Sequence, residues 1–339
     1  MTASLHIENA GPLTSVQDGG RRGHMRFGVP ASGPVDRFAF AAANAALGNA
    51  PGAALLEISA GGIALRCAGE ALAFALCGGD FTAEIDGRSL GGWLVERLEP
   101  GQRLRIKGGA AGNWAYLAFS GRIDTDVWLG SQATHALSGL GGGILRPGAA
   151  IVVEDVRTGG QRPGPLPAIA ASPIETARIV LGPQERFFAP ASLEHLANTT
   201  FHAGAAFDRM GRKFEGPALP PLSLDMPSEP AVRGALQVDG AGQLTLLLAD
   251  HQTIGGYPKI AVVVEIDIDR IAQLPAGAPL RFEILSQAEA IALMRRAARE
   301  EDLLKRIASR PDLDERLRTI NLIDGMVDAG KPDSELPIP

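Results

Sequence analysis

Short runs of apolar residues alternate along this chain with turns rich in glycine and proline, which recur every eight to fifteen residues. Runs of this length are typical of β-strands, and their regular spacing is typical of barrels and sandwiches. The runs that carry the prediction are LAFALCG, RLRIKG, WAYLAFSG, AIVVEDV, ARIVLG, LTLLLAD, AVVVEIDI and PLRFEIL. The sequence therefore predicts a mainly β fold with few short helices.

Helical spacing is confined to a few segments. The clearest runs from Phe38 to Leu47, where alanines fill the interior and Gly48 follows the last apolar position. Asp36 stands where an N-cap is expected. We predict a short helix here.

After Ser286 the pattern of apolar residues changes from short strand-like runs to recurrence at helical intervals. Pro311 interrupts the pattern, and a second short helix is predicted from Leu313 to Ile320. A glycine- and proline-rich stretch, residues 158–171, is the best linker candidate. The predicted division is 1–165 for a first β subdomain, 166–287 for a second, and 288–339 for a helical extension that packs on its own chain or on a partner.

Composition limits the classes of function. The 339 residues, 45% of them hydrophobic, suffice for a packed core. Only 21% are charged, the net charge is −6, and no basic run is present, so we expect no nucleic acid partner. No leader and no apolar run near the roughly 20 residues of a membrane span are evident, so we expect a cytoplasmic protein without membrane contact. Cys67 and Cys77 are expected as buried, reduced thiols.

The most informative segment is LLLADHQTIGGYPKI, residues 246–260, called the Asp250 turn below. An apolar strand runs into a polar turn and then resumes as a strand, and Gly255-Gly256 permits positive φ and a close approach of ligand to backbone. The alternative is a tight hairpin with a polar tip. The candidate binding groups here are Asp250, His251, Gln252, Thr253, Tyr257 and Lys259.

Two further segments are rich in charged and polar side chains that could bind a ligand. AFDRMGRKFEGPAL, residues 205–219, is called the Asp208 tip; it sets Asp208, Arg209, Arg212 and Lys213 around Gly211, a density that suits an anion site. Residues 11–49 form the N-terminal cluster, where many glycines are explained by turns alone. Its polar members include Gln17, Asp18, Arg21, Arg22, His24, Arg26, Ser32 and Asp36.

The sequence lacks the motifs of several common classes of enzyme and binding site. No phosphate-binding G-x-x-x-x-G-K-[ST] loop, G-x-S-x-G elbow, H-E-x-x-H or C-x-x-C occurs. The glycine run of residues 139–144 fails the dinucleotide fingerprint at its last position and lies in a β context. We therefore predict no dedicated transition-metal site.

The three segments, in this order, resemble the family that comprises allophanate hydrolase subunit 2, KipA and the C-type subunit of 5-oxoprolinase, and are similar to half of the carboxyltransferase domain of urea carboxylase. The likeness extends from about Ile7 to Leu285. It implies two cyclophilin-like β-barrel subdomains of carboxyltransferase type. The motifs are T-x-V-Q-D at residues 14–18, G-V-P-x-S-G-x-x-D at 28–36, N-x-x-x-G-N at 44–49, L-E-I at 56–58, Y-L-A at 116–118, L-G-S at 129–131, G-P-Q at 182–184, D-R-M-G at 208–211 and D-x-Q-T-x-G-G-Y-P-K-I at 250–260.

The resemblance implies, first, a subunit of an ATP-dependent 5-oxoprolinase, which opens the lactam 5-oxoproline to glutamate. ATP and Mg²⁺ are then expected, with Arg209 and Lys259 stabilising the transferred phosphoryl group and Asp208 and Asp250 holding Mg²⁺. His251 or Gln252 would orient the lactam.

Two alternatives stay open from the sequence. One is a carboxyltransferase component that moves the carboxylate of carboxybiotin, carried by another chain, to a urea-like amide; Tyr257, Gln252 and Thr253 would then bond the ureido ring and the acceptor amide. The other is a KipA-like regulatory binding protein of a kinase inhibitor. All three imply partners: a matching B-type subunit similar to KipI or allophanate hydrolase subunit 1, and for the enzyme a third A-type subunit and an amide or lactam substrate.

The candidate residues fall into two groups. Asp18 and Asp36 have a competing structural interpretation as caps of turns or helices, and Tyr257 one as a core anchor. The catalytic candidates are Lys259, Arg209, Asp208 and Gln252, and the substrate- or nucleotide-binding candidates are Tyr257, Thr253, Gly255, Gly256, Asp250, His251, Gln17, Asp18, Asp36 and Ser32.

Overall fold

A computed structural model describes residues 1–168 and 174–298. These described residues belong to one compact unit. The predicted second tail helix lies outside the described residues, and the subdomain boundaries stay a prediction. The mainly β fold is confirmed.

The first half contains two sheets. One has the strand order β11-β12-β1-β4-β9-β6-β7 and the other β13-β8-β5-β10-β3-β2. The strands are β1 Ala3–Ala10, β2 Ser15–Gln17, β3 Leu55–Ser59, β4 Ile63–Gly69, β5 Leu72–Cys77, β6 Phe81–Ile85, β7 Arg88–Gly91, β8 Leu94–Leu98, β9 Arg103–Gly108, β10 Trp114–Phe119, β11 Arg122–Asp124, β12 Ala150–Glu154 and β13 Gly164–Pro165.

This arrangement differs from the single closed barrel expected for the first half. Between β7 and β8, Gly91 and Trp93 take φ values of 82° and 46°, so the chain turns a corner there and passes from one sheet to the other. Alternate side chains of both sheets, such as Leu5, Leu65 and Phe74, fill a common core.

The second half forms a closed barrel, as the family resemblance implied. Its order is β14-β21-β18-β19-β16-β15-β22, and a short pair, β17-β20, lies beside it. The strands are β14 Thr176–Leu181, β15 Phe201–Phe207, β16 Gly211–Glu215, β17 Glu229–Pro230, β18 Ala235–Val238, β19 Leu244–Leu247, β20 Ile254–Gly255, β21 Lys259–Val263 and β22 Pro279–Ile284.

Four α-helices occur in the described ranges: α1 Arg37–Ala46, α2 Pro190–Asn198, α3 Glu265–Ala272 and α4 Gln287–Ala297. Helix α1 confirms its prediction, including the cap, because Asp36 Oδ1 accepts a hydrogen bond of 2.9 Å from the Ala39 amide. None of these helices is long and apolar enough to cross a membrane.

The run AVVVEIDI was predicted as strand throughout, and this is wrong for its second half. Strand β21 ends at Val263 and α3 begins at Glu265. Acidic residues favour the first turn of a helix, and Ile268 and Ile271 then bury one helical face against the barrel core.

A second core joins the two halves. Apolar residues of α1 and of the six-stranded sheet, such as Phe40 and Tyr116, pack in the same cluster as barrel residues such as Leu236 and Ile260. Cys77 lies in this cluster and Cys67 in the core between the sheets, both as buried free thiols, as predicted.

Candidate functional site

A cavity of about 460 Å³ opens on the outer face of the barrel. It is formed where the Asp208 tip meets the Asp250 turn, because β16 pairs with β19 and the Asp250 amide donates to the Arg209 carbonyl at 2.8 Å. Two segments about forty residues apart in sequence therefore share one wall. The cavity is lined by Ala205, Ala206, Phe207, Asp208, Met210, Gly211, Lys213, Gln237, Thr245, Leu247, His251 and Gln252.

A row of polar side chains crosses four neighbouring strands at this face. Lys213 of β16 lies opposite Thr245 of β19, Thr245 opposite Gln237 of β18, and Gln237 opposite Lys259 of β21. Residues directly opposite in antiparallel strands project to the same side of the sheet. We call Lys213, Thr245, Gln237 and Lys259 the polar row.

The neighbouring set of paired residues on the same four strands faces the barrel interior. Its members are Arg212, Leu246, Leu236 and Ala261, all of which are fully buried. The polar row thus lies on the outer side of a wall whose inner side is largely apolar.

Lys259 lies at the end of the polar row, with only 9% of its surface exposed. Its Nζ has no hydrogen-bond partner among the described residues, while its backbone amide donates to Gln184 Oε1 at 2.7 Å. Burial lowers the pKa of Lys259, and the charge of Glu229 opposes that shift. An ammonium group held away from water without a partner is suited to an oxygen of a bound carboxylate, phosphoryl group or carbonyl.

The side-chain carboxamides of Gln237 and Gln252 both lie beside Gly255. A Cβ atom there would lie 3.0 Å from Gln237 Nε2 and 3.2 Å from Gln252 Nε2. Neither Gly255 nor Gly256 has positive φ, so the expectation of left-handed glycines is wrong at both positions. At position 255 the missing side chain instead makes room for the two amides.

His251 follows the buried strand end and is 5% exposed. Its ring Nδ1 lies 2.7 Å from the carbonyl oxygen of Gln252. Burial is the main cause that lowers the pKa of His251. The ring is therefore neutral at pH 7.

Arg209 does not line the cavity; its guanidinium is buried behind it, 1% exposed. It forms ion pairs with Glu57 and, at 3.0 Å, with Asp250, and it donates to the Gly33 carbonyl at 2.6 Å. Burial acts to lower the pKa of Arg209, but the charges of Asp250 and Glu57 outweigh it and raise that pKa. Its guanidinium is therefore occupied by protein groups and contributes no free charge to the cavity.

The two acidic candidates differ in what they bond. Asp208 lines the cavity, and its Oδ1 accepts from the Met210 and Gly211 amides at 2.7 and 3.1 Å. Asp250 is 1% exposed, and both of its oxygens accept from Arg209, one also from the Ala136 amide at 3.1 Å. Burial acts to raise the pKa of Asp250, but Arg209 holds it below the ordinary value.

This arrangement does not fit the expected Mg²⁺ site on Asp208 and Asp250. A magnesium ion needs carboxylate oxygens that are free to coordinate it, and those of Asp250 are engaged by Arg209. Within residues 1–168 and 174–298, no group of three or more metal-ligating side chains occurs.

The remaining candidates of the Asp250 turn surround its tip. Thr253 is nearly buried, and its carbonyl accepts from the Ala231 amide at 2.9 Å. Gly256 is adjacent to Ser228. Tyr257 is 46% exposed, so it is not the core anchor of the competing interpretation.

The candidates of the N-terminal cluster do not line the cavity. Gln17 is buried and donates to Ser15 Oγ and to the Thr134 carbonyl. Asp18 accepts from the Gly20 and Gln132 amides and from Ser131 Oγ, and Asp36 caps α1. Ser32 is buried with a φ of 55°. The hydrogen bonds of Gln17, Asp18 and Asp36 organise loops and a helix end. This agrees with the interpretation of Asp18 and Asp36 as caps of turns or helices.

Sequence reasoning missed Gln237, Thr245, Gln184 and Glu57 as neighbours of the site. The sequence does contain a signal that could have identified Gln237, because it is a polar residue inside the otherwise apolar strand ALQV. Glu57 likewise interrupts the buried strand LLEIS. Polar residues at such positions require a partner, and this alone marks them for attention.

Known proteins with similar sequences agree with the predicted resemblance. The C-type subunit of 5-oxoprolinase from Escherichia coli (strain K12) is 32% identical over 293 residues, which cover 85% of this chain and 93% of the relative. The urea amidolyase of Lachancea kluyveri is 27% identical over 312 residues, covering 84% of this chain and 17% of the relative.

The crystal structure of TTHA0988 superposes with a TM-score of 0.76 and 30% sequence identity, and the likeness covers 83% of this chain and 56% of that chain. The present chain thus spans little more than half of TTHA0988 and a small part of the amidolyase. Residues 27–284 match the family described as carboxyltransferase domain, subdomain A and B. Because that match extends over most of the sequence, the protein belongs to this carboxyltransferase domain family.

Proposed function

We propose that the protein is a subunit of an ATP-dependent 5-oxoprolinase and that the lactam binds in the cavity beside the polar row. The observation that carries the proposal is Lys259, a nearly buried residue that lies opposite Gln237 in the polar row and whose Nζ has no hydrogen-bond partner among the described residues. The similarity to a C-type 5-oxoprolinase subunit over nearly the whole length of that relative supports it.

The groups at the cavity match the functional groups of 5-oxoproline. A lactam presents one carbonyl oxygen and one N–H, and a carboxamide such as Gln237 or Gln252 has the complementary donor and acceptor. The substrate also carries a carboxylate, for which Lys213 offers positive charge in the cavity and Lys259 offers it at the end of the polar row. The ammonium of Lys259 further stabilises negative charge that develops on the lactam oxygen.

ATP and Mg²⁺ are part of the proposal as components of the assembled enzyme. Lys259 fits an oxygen of a phosphoryl group, because its Nζ is buried and no residue within 1–168 and 174–298 forms a hydrogen bond with it. ATP would supply the phosphoryl group that makes the lactam carbonyl electrophilic. Since the oxygens of Asp250 are engaged by Arg209, no magnesium site is proposed on Asp208 and Asp250.

Carboxyl transfer from carboxybiotin to a urea-like amide is the second candidate. The family description and the similarity to a urea amidolyase favour it. The same cationic and amide groups would hold a carboxylate and a planar urea. The predicted KipA-like regulatory role has no feature of the described residues in its favour.

Partner subunits are proposed for either enzyme. The relative is named as a subunit, and TTHA0988 is a chain of which this one covers 56%. We propose a B-type subunit that completes the site at a shared interface, together with an A-type subunit. The isolated chain is then expected to be inactive.

The test is reconstitution of this chain with the two subunits encoded beside it, followed by quantification of 5-oxoproline, glutamate and ADP. Glutamate and ADP should form in equal amounts, and omission of this chain should abolish both. A stable complex that leaves 5-oxoproline unchanged would refute the 5-oxoprolinase proposal. Formation of a carboxylated urea by the same complex with a biotinylated carrier would establish the second candidate instead.

A further inference from the structure

The protonation of His251 is determined by its neighbour. A carbonyl oxygen can only accept a hydrogen bond, so the Nδ1 atom that lies 2.7 Å from the Gln252 oxygen must carry the proton. In a neutral imidazole the other nitrogen, Nε2, then has a free lone pair. No described residue bonds to Nε2, and His251 lines the cavity.

The charged groups around His251 keep it in this state. Arg233 and burial both lower its pKa, whereas the Gln252 carbonyl and Asp250 raise it. The effect of Asp250 is limited because Arg209 pairs with both of its oxygens.

The charged residues that line the cavity together with His251 are Asp208 and Lys213. Asp208 already accepts hydrogen bonds from two backbone amides through its Oδ1 atom. Of the titratable groups described as lining this cavity, His251 alone pairs a free lone pair with the basicity of an imidazole.

We propose that His251 Nε2 is the general base of this site and accepts the proton of the substrate amide nitrogen. The proposal rests on the function proposed above. It assigns a proton-transfer role to a residue that the sequence marked only as a binding candidate.

In the 5-oxoprolinase reaction this proton transfer accompanies phosphorylation of the lactam. The N–H bond of the lactam breaks, its proton goes to Nε2, and the bonding pair forms a C=N bond. The carbonyl oxygen bonds to the γ-phosphorus of ATP, and the bond from that phosphorus to the bridging oxygen breaks with its electrons leaving on ADP. The products of the step are a phosphorylated cyclic imidate, ADP and an imidazolium, which returns its proton during ring opening.

The test compares the wild-type complex with His251→Asn. An asparagine Nδ2 replaces the donor at Nδ1 and keeps the bond to the Gln252 carbonyl, but it has no basic nitrogen at the position of Nε2. We expect kcat to fall about 10²- to 10⁴-fold with little change in KM. The wild-type kcat/KM should rise with pH through a midpoint below the ordinary histidine pKa of about 6.5, and the variant should lack this rise.

Added imidazole should restore part of the activity of His251→Ala, which leaves space for a free base. A wild-type complex that turns over while His251→Asn keeps its kcat and pH profile would overturn the proposal and leave the 5-oxoprolinase function standing. A wild-type complex without turnover would overturn both.

A second measurement does not depend on turnover. In ¹⁵N-histidine-labelled protein, His251 should be the neutral Nδ1–H form at pH 7, assigned by comparison with His251→Asn. A resonance of the Nε2–H tautomer or of the imidazolium at pH 7 would overturn the proposal, because neither has a lone pair at Nε2.

Discussion

Arg209 of the Asp208 tip and Glu57 of β3 form a buried ion pair that joins the barrel to the six-stranded sheet. Glu57 also accepts from the Tyr116 hydroxyl at 2.9 Å and from the Val35 amide at 2.8 Å. Arg209 in turn holds Asp250, which directly precedes His251. The pair therefore fixes the Asp250 turn relative to the first half, and Arg209 acts on the cavity through position rather than contact.

Replacement of Arg209 by methionine is expected to destabilise the protein by roughly 3–5 kcal/mol, since it leaves two buried carboxylates without their positively charged ion-pair partner. Denaturant unfolding of the isolated chain measures this loss. A change below about 1 kcal/mol would contradict the inferred role of the ion pair.

Arg212→Met is the matched control, because Arg212 is as buried as Arg209 but has no carboxylate partner among the described residues. Its Nη2 donates to the Gly204 carbonyl at 3.3 Å, its guanidinium lies over the Phe207 ring, and burial lowers its pKa to about 10. An apolar side chain of similar length removes a buried charge that is not paired with a described carboxylate. We expect the free energy of unfolding to stay equal or to rise.

Lys259→Met should separate activity from stability. Because Nζ has no hydrogen-bond partner in the described part of the chain, its loss leaves no described group unsatisfied, and the free energy of unfolding should not fall by more than about 1 kcal/mol. Turnover of the reconstituted complex should fall by 10²-fold or more, as for loss of a group that stabilises developing charge. Lys107→Met on β9, which is partly exposed and does not line the cavity, is the control and should keep full turnover. Equal activity of both variants would exclude Lys259 from the chemistry.

Gly255→Ala should raise KM. The added methyl group would crowd the amides of Gln237 and Gln252, which must move by a few tenths of an ångström, while the backbone itself accepts alanine because φ is not positive. Gly256→Ala is the matched control: there the nearest atom, Ser228 Oγ, lies at an ordinary contact distance of 3.6 Å. The expected result is a several-fold larger KM for the first variant and an unchanged KM for the second, measured with 5-oxoproline at saturating ATP. Identical KM values would show that the amides do not contact substrate.

The stability of the protein should depend on the protonation of Asp36. Burial, and then the charge of Asp269, raise the pKa of Asp36 from 3.8 to about 7. The folded state therefore binds this proton more tightly than the unfolded chain. The resulting stabilisation is complete below pH 3.8 and is lost as the pH rises through about 7.

Asp36→Asn removes this titration and keeps an oxygen for the helix cap. Urea unfolding at pH 5 and pH 8.5 should show the wild type losing stability relative to the variant across that interval. Parallel pH profiles for the two proteins would contradict the raised pKa.

The local structure was largely encoded in local sequence. Apolar runs bounded by glycine and proline specified most of the strands, and Asp36 with the alanines after it specified α1, because hydrogen bonding and capping act over a few residues. The failure at Glu265–Ala272 has the same origin: an apolar run bordering acidic residues fits either a strand end or a first helical turn, and packing of Ile268 and Ile271 decides between them.

The site depended on contacts distant in sequence. Sequence motifs marked the Asp208 tip and the Asp250 turn, but they did not show that Arg209 faces Glu57 rather than the cavity. Nor did they reveal Gln237 and Thr245, whose place beside Lys213 and Lys259 follows from the register of four barrel strands. A shift of one residue in that register would turn every one of these side chains to the other face. The sequence by itself thus determined which strands form and which turns carry reactive groups, whereas pairing across the closed barrel decided which of those groups meet.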